Sequence, residues 1–257
     1  MIRRSLALAA AGAVLAAAGT ACTPSSSDSS TSEASSAGSL TVAAASSLTD
    51  VFEVIGADFT KSTGIDVAFS FAASSAIAEQ IRGGAPLDAF ASAGTSSMEP
   101  LATEGLVTDV TAFATNTLMI ATPPGNPGGI ASLADLPGAT VLVCQEQVPC
   151  GVATAKLFEL NGLDIAPVSF EPDVVSVLGK IEADEADAGI VYVTDVLAGG
   201  AKVEGIEIPA ADNVTTTYQG AVVRDAAQAE AAALFVAYLT APQAQAAFAA
   251  AGFAPAP

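Results

Sequence analysis

Two serine pairs stand where a strand-like run gives way to a helix-like one, and that placement carries the clearest chemistry in the chain. Ser46-Ser47 follows the apolar run Leu40–Ala45 and precedes Leu48, Val51, Phe52, Ile55 and Phe59, an i, i+3, i+4, i+7, i+11 stripe that stops before Gly64. Ser74-Ser75 follows the alternating Ile65, Val67, Phe69 and Phe71 and precedes Ile77 and Ile81. The first amides of a helix lack internal partners and the helix dipole puts partial positive charge there, so such a start can hold an anion. Serine hydroxyls add donors. The ordinary duty of one such serine is N-capping, and Ser47 with Asp50 three residues on has the capping-box form. Two serines in equivalent settings point beyond capping, to an anion that neutral donors would have to hold.

Composition removes most rival chemistries. The chain carries 27 acidic residues against eight basic ones, a formal net charge of −19, and no histidine. Nucleic acid and anionic lipid headgroups are therefore poor partners. Without histidine there is no Ser-His-Asp triad, no Cys-His dyad and no His-containing zinc site, and three cysteines cannot form a four-thiolate site. A secreted hydrolase using Ser47 or Ser74 as nucleophile would need a lysine base, and neither an SxxK nor a GxSxG motif accompanies them. A sulfate, phosphate or organic-anion receptor would call for a cleft acceptor or an arginine, and Arg82 is the candidate.

Residues 1–21 read as a secretory signal, with Arg3 and Arg4 ahead of the apolar run Leu6–Ala18, which is too short to span a bilayer. Gly19-Thr20-Ala21-Cys22 resembles a bacterial lipobox, with Gly19 where Leu is usual, and makes Cys22 the expected site of acylation. Residues 22–39 are Ser-rich and carry no large apolar side chain, the composition of a flexible tether. The chain is thus expected outside the cytoplasm, held to the outer face of the membrane by its N-terminal lipid. Cys144 and Cys150, six positions apart in an exported chain and without CxxC spacing, are expected to form a structural disulfide.

The serines need a scaffold of strands and helices, and 257 residues with 51% hydrophobic content suffice for one large or two modest domains. From Leu40 onward strand-like and helical runs alternate, which predicts α/β layers with a largely parallel sheet. Strands are expected at Asn116–Thr122, Thr140–Val143, Ala188–Tyr192 and Tyr218–Val223, and helices at Ser97–Glu104, Val152–Asn161, Val174–Ala183, Ala226–Leu239 and Gln243–Ala250. The turn-rich Pro123-Pro124-Gly125-Asn126-Pro127 suits a domain boundary. A discontinuous first domain, residues 40–118 plus 219–257, is expected around a contiguous second, residues 119–218, with crossover segments near 115–122 and 215–222.

An ordered set of motifs adds a family resemblance. Val42-Ala43-Ala44-Ala45-Ser46-Ser47-Leu48-Thr49, Phe71-Ala72-Ala73-Ser74-Ser75, Gly84-Ala85-Pro86-Leu87-Asp88, Val148-Pro149-Cys150-Gly151, Gly189-Ile190-Val191-Tyr192, and Pro242-Gln243-Ala244 with Gly252-Phe253 resemble the periplasmic molybdate-binding proteins of ABC importers. The resemblance implies a type II periplasmic-binding-protein fold: two α/β domains with mixed sheets flanked by helices and a hinge of two crossover segments. It implies a monomer that binds molybdate or tungstate in the interdomain cleft and hands it to a membrane permease, with no catalysis and no cofactor. Its oxyanion ligands fall on the hydroxyl and amide of Ser47 and of Ser74, the backbone amides of Cys150 and Val174, and the phenol of Tyr192. The family usually has a small residue, often Ala, where Cys150 stands; a backbone donor survives that change.

Overall fold

The computed structural model describes residues 39–257, so the expected leader, the acylation site at Cys22 and the tether up to residue 38 lie outside the described residues. The first part of the chain forms β1 (Leu40–Ala45), α1 (Thr49–Thr63), β2 (Val67–Ala72), α2 (Ser74–Arg82), β3 (Ala89–Ala93), α3 (Met98–Thr103) and β4 (Val107–Thr122). Then come β5 (Val141–Cys144), α4 (Pro149–Leu160), β6 (Ser169–Glu171), α5 (Val174–Glu182), β7 (Ala188–Tyr192), α6 (Val193–Gly199) and β8 (Glu204–Glu207). The last elements are β9 (Thr215–Val223), α7 (Ala229–Tyr238), α8 (Pro242–Ala250) and β10 (Ala254–Pro255).

The strands run in the order β2-β1-β3-β9-β4-β7-β5-β6, with β8 and β10 also paired to β4. On one side β1 lies parallel to β2 and β3, while β9 lies antiparallel to β3 and to the first part of β4. On the other, β5 lies parallel to β6 and β7, and β7 is antiparallel to the second part of β4. Residues Val107–Thr117 of β4 pair with β9, and Leu118–Thr122 pair with β7 and β8. One long strand therefore serves two sheets. Mixed sheets covered by helices form the α/β architecture that the alternating pattern calls for.

Both faces of the first sheet are buried, which is why β1, apolar but for Thr41, does not alternate. Val42 and Ala44 pack with Phe52, Phe59, Phe113, Phe235 and Phe248 under α1, α7 and α8, while Ala43 packs with Ile77, Ile81, Phe90 and Leu101 under α2 and α3. Phe52 lies at the centre of the larger cluster, with ring centroids 5.6 Å from Phe69 and 5.9 Å from Phe235. The second sheet has its own core, built on Val141, Leu142, Val143, Ile190 and Val191 against Leu157, Val177 and Ile181. The Asp88 carboxylate, 5% exposed, accepts from the N–H groups of Thr41 and Gln228 and so ties β1 to the approach to α7.

Several boundaries differ from the sequence expectation, each for a local reason. The strand predicted from Asn116 begins at Val107, because the Thr-rich stretch before it finds a partner in β9. The helix predicted from Val152 begins at Pro149, whose fixed φ suits the first helical position. The capping box of Ser47 and Asp50 does not form: Ser46–Leu48 is a 3-10 turn, α1 starts at Thr49, and the Ser47 side chain caps nothing. Short β6, β8 and β10 carry no periodic signal of their own.

Candidate functional site

In α/β sheets the ends of parallel strands lead into helix starts, and ligands gather there. Here β1 ends at Ala45 before Ser46-Ser47, β2 at Ala72 before Ser74, and β6 at Glu171 before Val174, while β5 runs by a short turn into α4 and β7 closes on Tyr192. These edges meet around one small cavity. Its walls are Ala45, Ser46 and Ser47, Ala73 and Ser74, Ala93, Val148 to Cys150, Asp173 and Val174, and Tyr192. The five residues singled out as oxyanion ligands, far apart in sequence, all line it.

Ser74 and Val174 are the first residues of α2 and α5, and Cys150 is the second of α4, so their amides have no carbonyl one turn back to meet. Neither serine spends its hydroxyl on a cap. The Ser74 Oγ, 1% exposed, accepts the Ala93 N–H at 3.0 Å, leaving its own proton to give. The Ser47 Oγ lies 2.9 Å from the hydroxyl of Tyr218. The Tyr192 hydroxyl is wholly buried with no hydrogen-bond partner, and such a phenol is costly unless something accepts from it. Burial holds it well above the ordinary phenol range, against a partial pull from the neighbouring Thr216 side chain. The cavity thus presents amides and hydroxyls.

Cys144 and Cys150 are joined, with Cα atoms 5.7 Å apart, so the end of β5 is tied to the first turn of α4. Next to the bridge, Gly151 lies so close to the Gln145 carbonyl that any side chain there would strike it. Together the bridge and the glycine fix where the Cys150 amide points. Asp173 is the charged residue on the cavity wall, and its carboxylate is turned onto the Ser176 N–H at 2.8 Å as the α5 cap. Among the described residues no lysine or arginine lines the cavity. Arg82 does not reach it: it is bound at the surface to Glu79 and Glu104, which hold the guanidinium further up in pKa, Glu104 foremost.

Sequence reasoning passed over the layer behind the ligand candidates. Tyr218, Asn116 and Thr216, all buried, sit on β9 and β4 behind the serine and tyrosine hydroxyls. Asp195 starts the same surroundings from α6, its carboxylate accepting the Tyr192 N–H at 2.8 Å. The one available signal was polar residues inside apolar strands, Asn116 before Leu118-Met119-Ile120 above all.

Comparison with known proteins places the chain in a family. The profile of the bacterial extracellular solute-binding proteins matches residues 40–254. The molybdate-binding protein ModA of Mycobacterium tuberculosis is 44% identical over 207 residues, 79% of each chain. Its namesake in Escherichia coli is 33% identical over 230 residues, covering 84% of this chain and 89% of that one. In architecture the chain is similar to the periplasmic molybdate-binding protein of Azotobacter vinelandii, with a TM-score of 0.71 at 23% identity, over 83% of this chain and 98% of that one. From strand order, site placement and these relatives together, the chain belongs to the family of bacterial extracellular solute-binding proteins.

Proposed function

We propose that this protein is the solute-binding component of an ABC importer, that it captures molybdate, and tungstate as well, and that it delivers the anion to a membrane permease. The observation that carries the reading is a cavity ringed by helix-start amides and by serine and tyrosine hydroxyls, with no cationic side chain. Ser47, Ser74, Cys150, Val174 and Tyr192 are the proposed ligands. Molybdate and tungstate are tetrahedral dianions without a proton at neutral pH, so donors alone satisfy them. Hydrogenphosphate brings a hydroxyl that needs an acceptor, and leaving it unpaired costs about 1–3 kcal/mol. Sulfate brings no proton and is excluded by size, because its oxygens lie closer in and a rigid ring meets them at stretched distances.

In this reading residues 40–118 with 219–257 form one body and 119–218 the other, and the anion favours the state in which both sets of donors engage it. The protein acts as a monomer on the outer face of the membrane, anchored through a lipid on Cys22, and makes or breaks no bond. Calorimetric titration of the purified residues 39–257 tests it. Molybdate and tungstate bind with defined stoichiometry, sulfate and phosphate more weakly, and Ser47→Ala combined with Ser74→Ala abolishes the molybdate signal in a chain that still melts cooperatively, at a lower temperature because the Ala93 N–H and the Tyr218 hydroxyl lose their partners. Sulfate binding as tightly as molybdate would overturn the selectivity.

A further inference from the structure

A second and larger cavity, of about 410 Å³, shares Ser46 and Ser47 with the anion cavity and is of the size that holds a small organic molecule. Its walls come from the start of α1 and the end of α8 on one side, and from α5 and α6 on the other. Much of the lining is apolar. Leu178 and Phe253 are buried there, whereas Val175 and Leu197 stand 49% and 59% exposed, an apolar rim left open to solvent. Leu197 lies so close to Gly252 that any side chain at Gly252 would strike it, so α6 and the segment after α8 meet in one edge.

The ionisable groups of this lining are all of one sign. They are Asp50 from α1, Glu182 from α5 and Asp195 from α6, and among the described residues no lysine or arginine joins them. Glu182 is paired with Lys202 at 3.2 Å, while Asp50 has no salt-bridge partner among the described residues. Asp195 decides the chemistry. It is 6% exposed, one of its oxygens accepts the Tyr192 N–H at 2.8 Å, and the other meets no donor among the described residues. A carboxylate buried on a cavity wall without a counter-charge calls for a cation from outside. Burial and the charges of Asp50 and Asp173 disfavour its ionised form, and a cation in the cavity would relieve both. A bare metal ion does not suit the site, since no group of three acidic or cysteine side chains gathers among the described residues to hold one. An ammonium with an apolar body does: its head meets Asp50 and Asp195, and its body lies on Val175, Leu178, Leu197 and Phe253.

We propose that this cavity is a second binding site, for a small organic ammonium, and that its occupant and the anion strengthen each other's binding. Three features join the two sites. Ser46 and Ser47 line both cavities, Tyr192 lines the anion cavity and gives its N–H to Asp195, and Val174 and Val175 adjoin at the start of α5. Opposite charges would therefore face each other across a thin wall. The ammonium also touches both of the bodies that the anion draws together, so each ligand favours the state that the other needs, by the same factor in either direction. The coupling rests on the proposed anion site; the cavity and its carboxylates do not.

The test titrates phenethylammonium into the purified full chain at about pH 8, where the amine is charged and Asp195 is ionised. Neutral phenylethanol and methylammonium, which lacks the apolar body, serve as matched probes. Phenethylammonium binds at one site, and each matched probe binds at least about tenfold more weakly. Asp50→Asn and Asp195→Asn each weaken the amine by about tenfold, whereas Glu230→Gln, which removes an exposed charge from α7, leaves it unchanged. Should Asp195→Asn lose the wild-type melting profile, Ala198→Trp, at an exposed position of α6 that lines the cavity, fills the site and removes amine binding. Saturating molybdate tightens the amine at least about fivefold, and saturating amine tightens molybdate by the same factor. Equal binding of phenylethanol, or undiminished amine binding in folded Asp50→Asn, Asp195→Asn or Ala198→Trp, overturns the site. Amine binding that ignores bound molybdate overturns the coupling. A chain that binds the amine and no molybdate overturns the functional reading and leaves the second site standing.

Discussion

At the scale of single residues, Asp195 is the group most out of its element. Its carboxylate is 6% exposed and accepts the Tyr192 N–H, and burial, helped by the charges of Asp50 and Asp173 and opposed by that amide, pushes its pKa up from 3.8 to about 7. A carboxyl that holds its proton more tightly when folded adds stability fully below about pH 4, and that contribution is lost as pH rises through about 7. Asp195→Asn keeps an acceptor for the Tyr192 amide and removes the titration. The wild-type melting temperature should therefore fall relative to Asp195→Asn between about pH 5 and pH 8, with the variant more stable at the upper end. Parallel curves would show that Asp195 ionises in the fold as it does unfolded. At this scale Ser47 and Ser74 were legible because a serine between a strand run and a helix stripe is a local pattern. The capping role read for Ser47 with Asp50 failed, since the turn between them is 3-10 and a distant tyrosine claims the hydroxyl.

At the scale of elements, the start of α4 shows how a donor is held without charge. Pro149 presets the first turn, Gly151 lets the helix press against the Gln145 carbonyl, and the bridge from Cys144 to Cys150 closes a short loop between β5 and α4. Closing a loop of that length lowers the entropy of the unfolded chain, a stabilisation of about 2 kcal/mol. Replacing both cysteines by alanine should lower the denaturant midpoint correspondingly, with any change of slope upward because the unfolded chain is freed to expand, and should weaken molybdate binding through a wandering Cys150 amide. Binding unchanged in the alanine pair would mean that Gly151 and Pro149 set the amide alone. The strands β1 and β7 were readable as short apolar runs, and α1 and α5 by their helical period, because burial imposes those patterns on their own residues. The first half of β4 was not, because Thr108, Asp109 and Thr111 become a strand only when β9 supplies the ladder, with breaks in register near Asp109, whose φ is 55°.

At the scale of the whole molecule, a chain of net charge −19 has to attract a dianion into a cavity whose walls are neutral donors and one turned-away carboxylate. Long-range repulsion slows the approach, and salt screens it over about 10 Å at 0.1 M. The association rate constant for molybdate, followed by stopped-flow fluorescence of the tyrosines, should therefore rise with added sodium chloride; a fall would place a cationic attractor near the entrance. That the proposed site would use helix starts in place of cations was open to the sequence alone, for scarce basic residues, absent histidine and serines at two helix starts are read directly off the chain. The union of five scattered residues around one cavity was reached through resemblance, since no local pattern brings β2, α4 and β7 together. What the tertiary structure alone decided is the layer behind them: the course of β4 through both sheets, the burial of Asp195, and the meeting of the Tyr218 hydroxyl with Ser47. A strand or a helix start is specified by neighbours in sequence, whereas the partner of a buried hydroxyl is specified by neighbours in space.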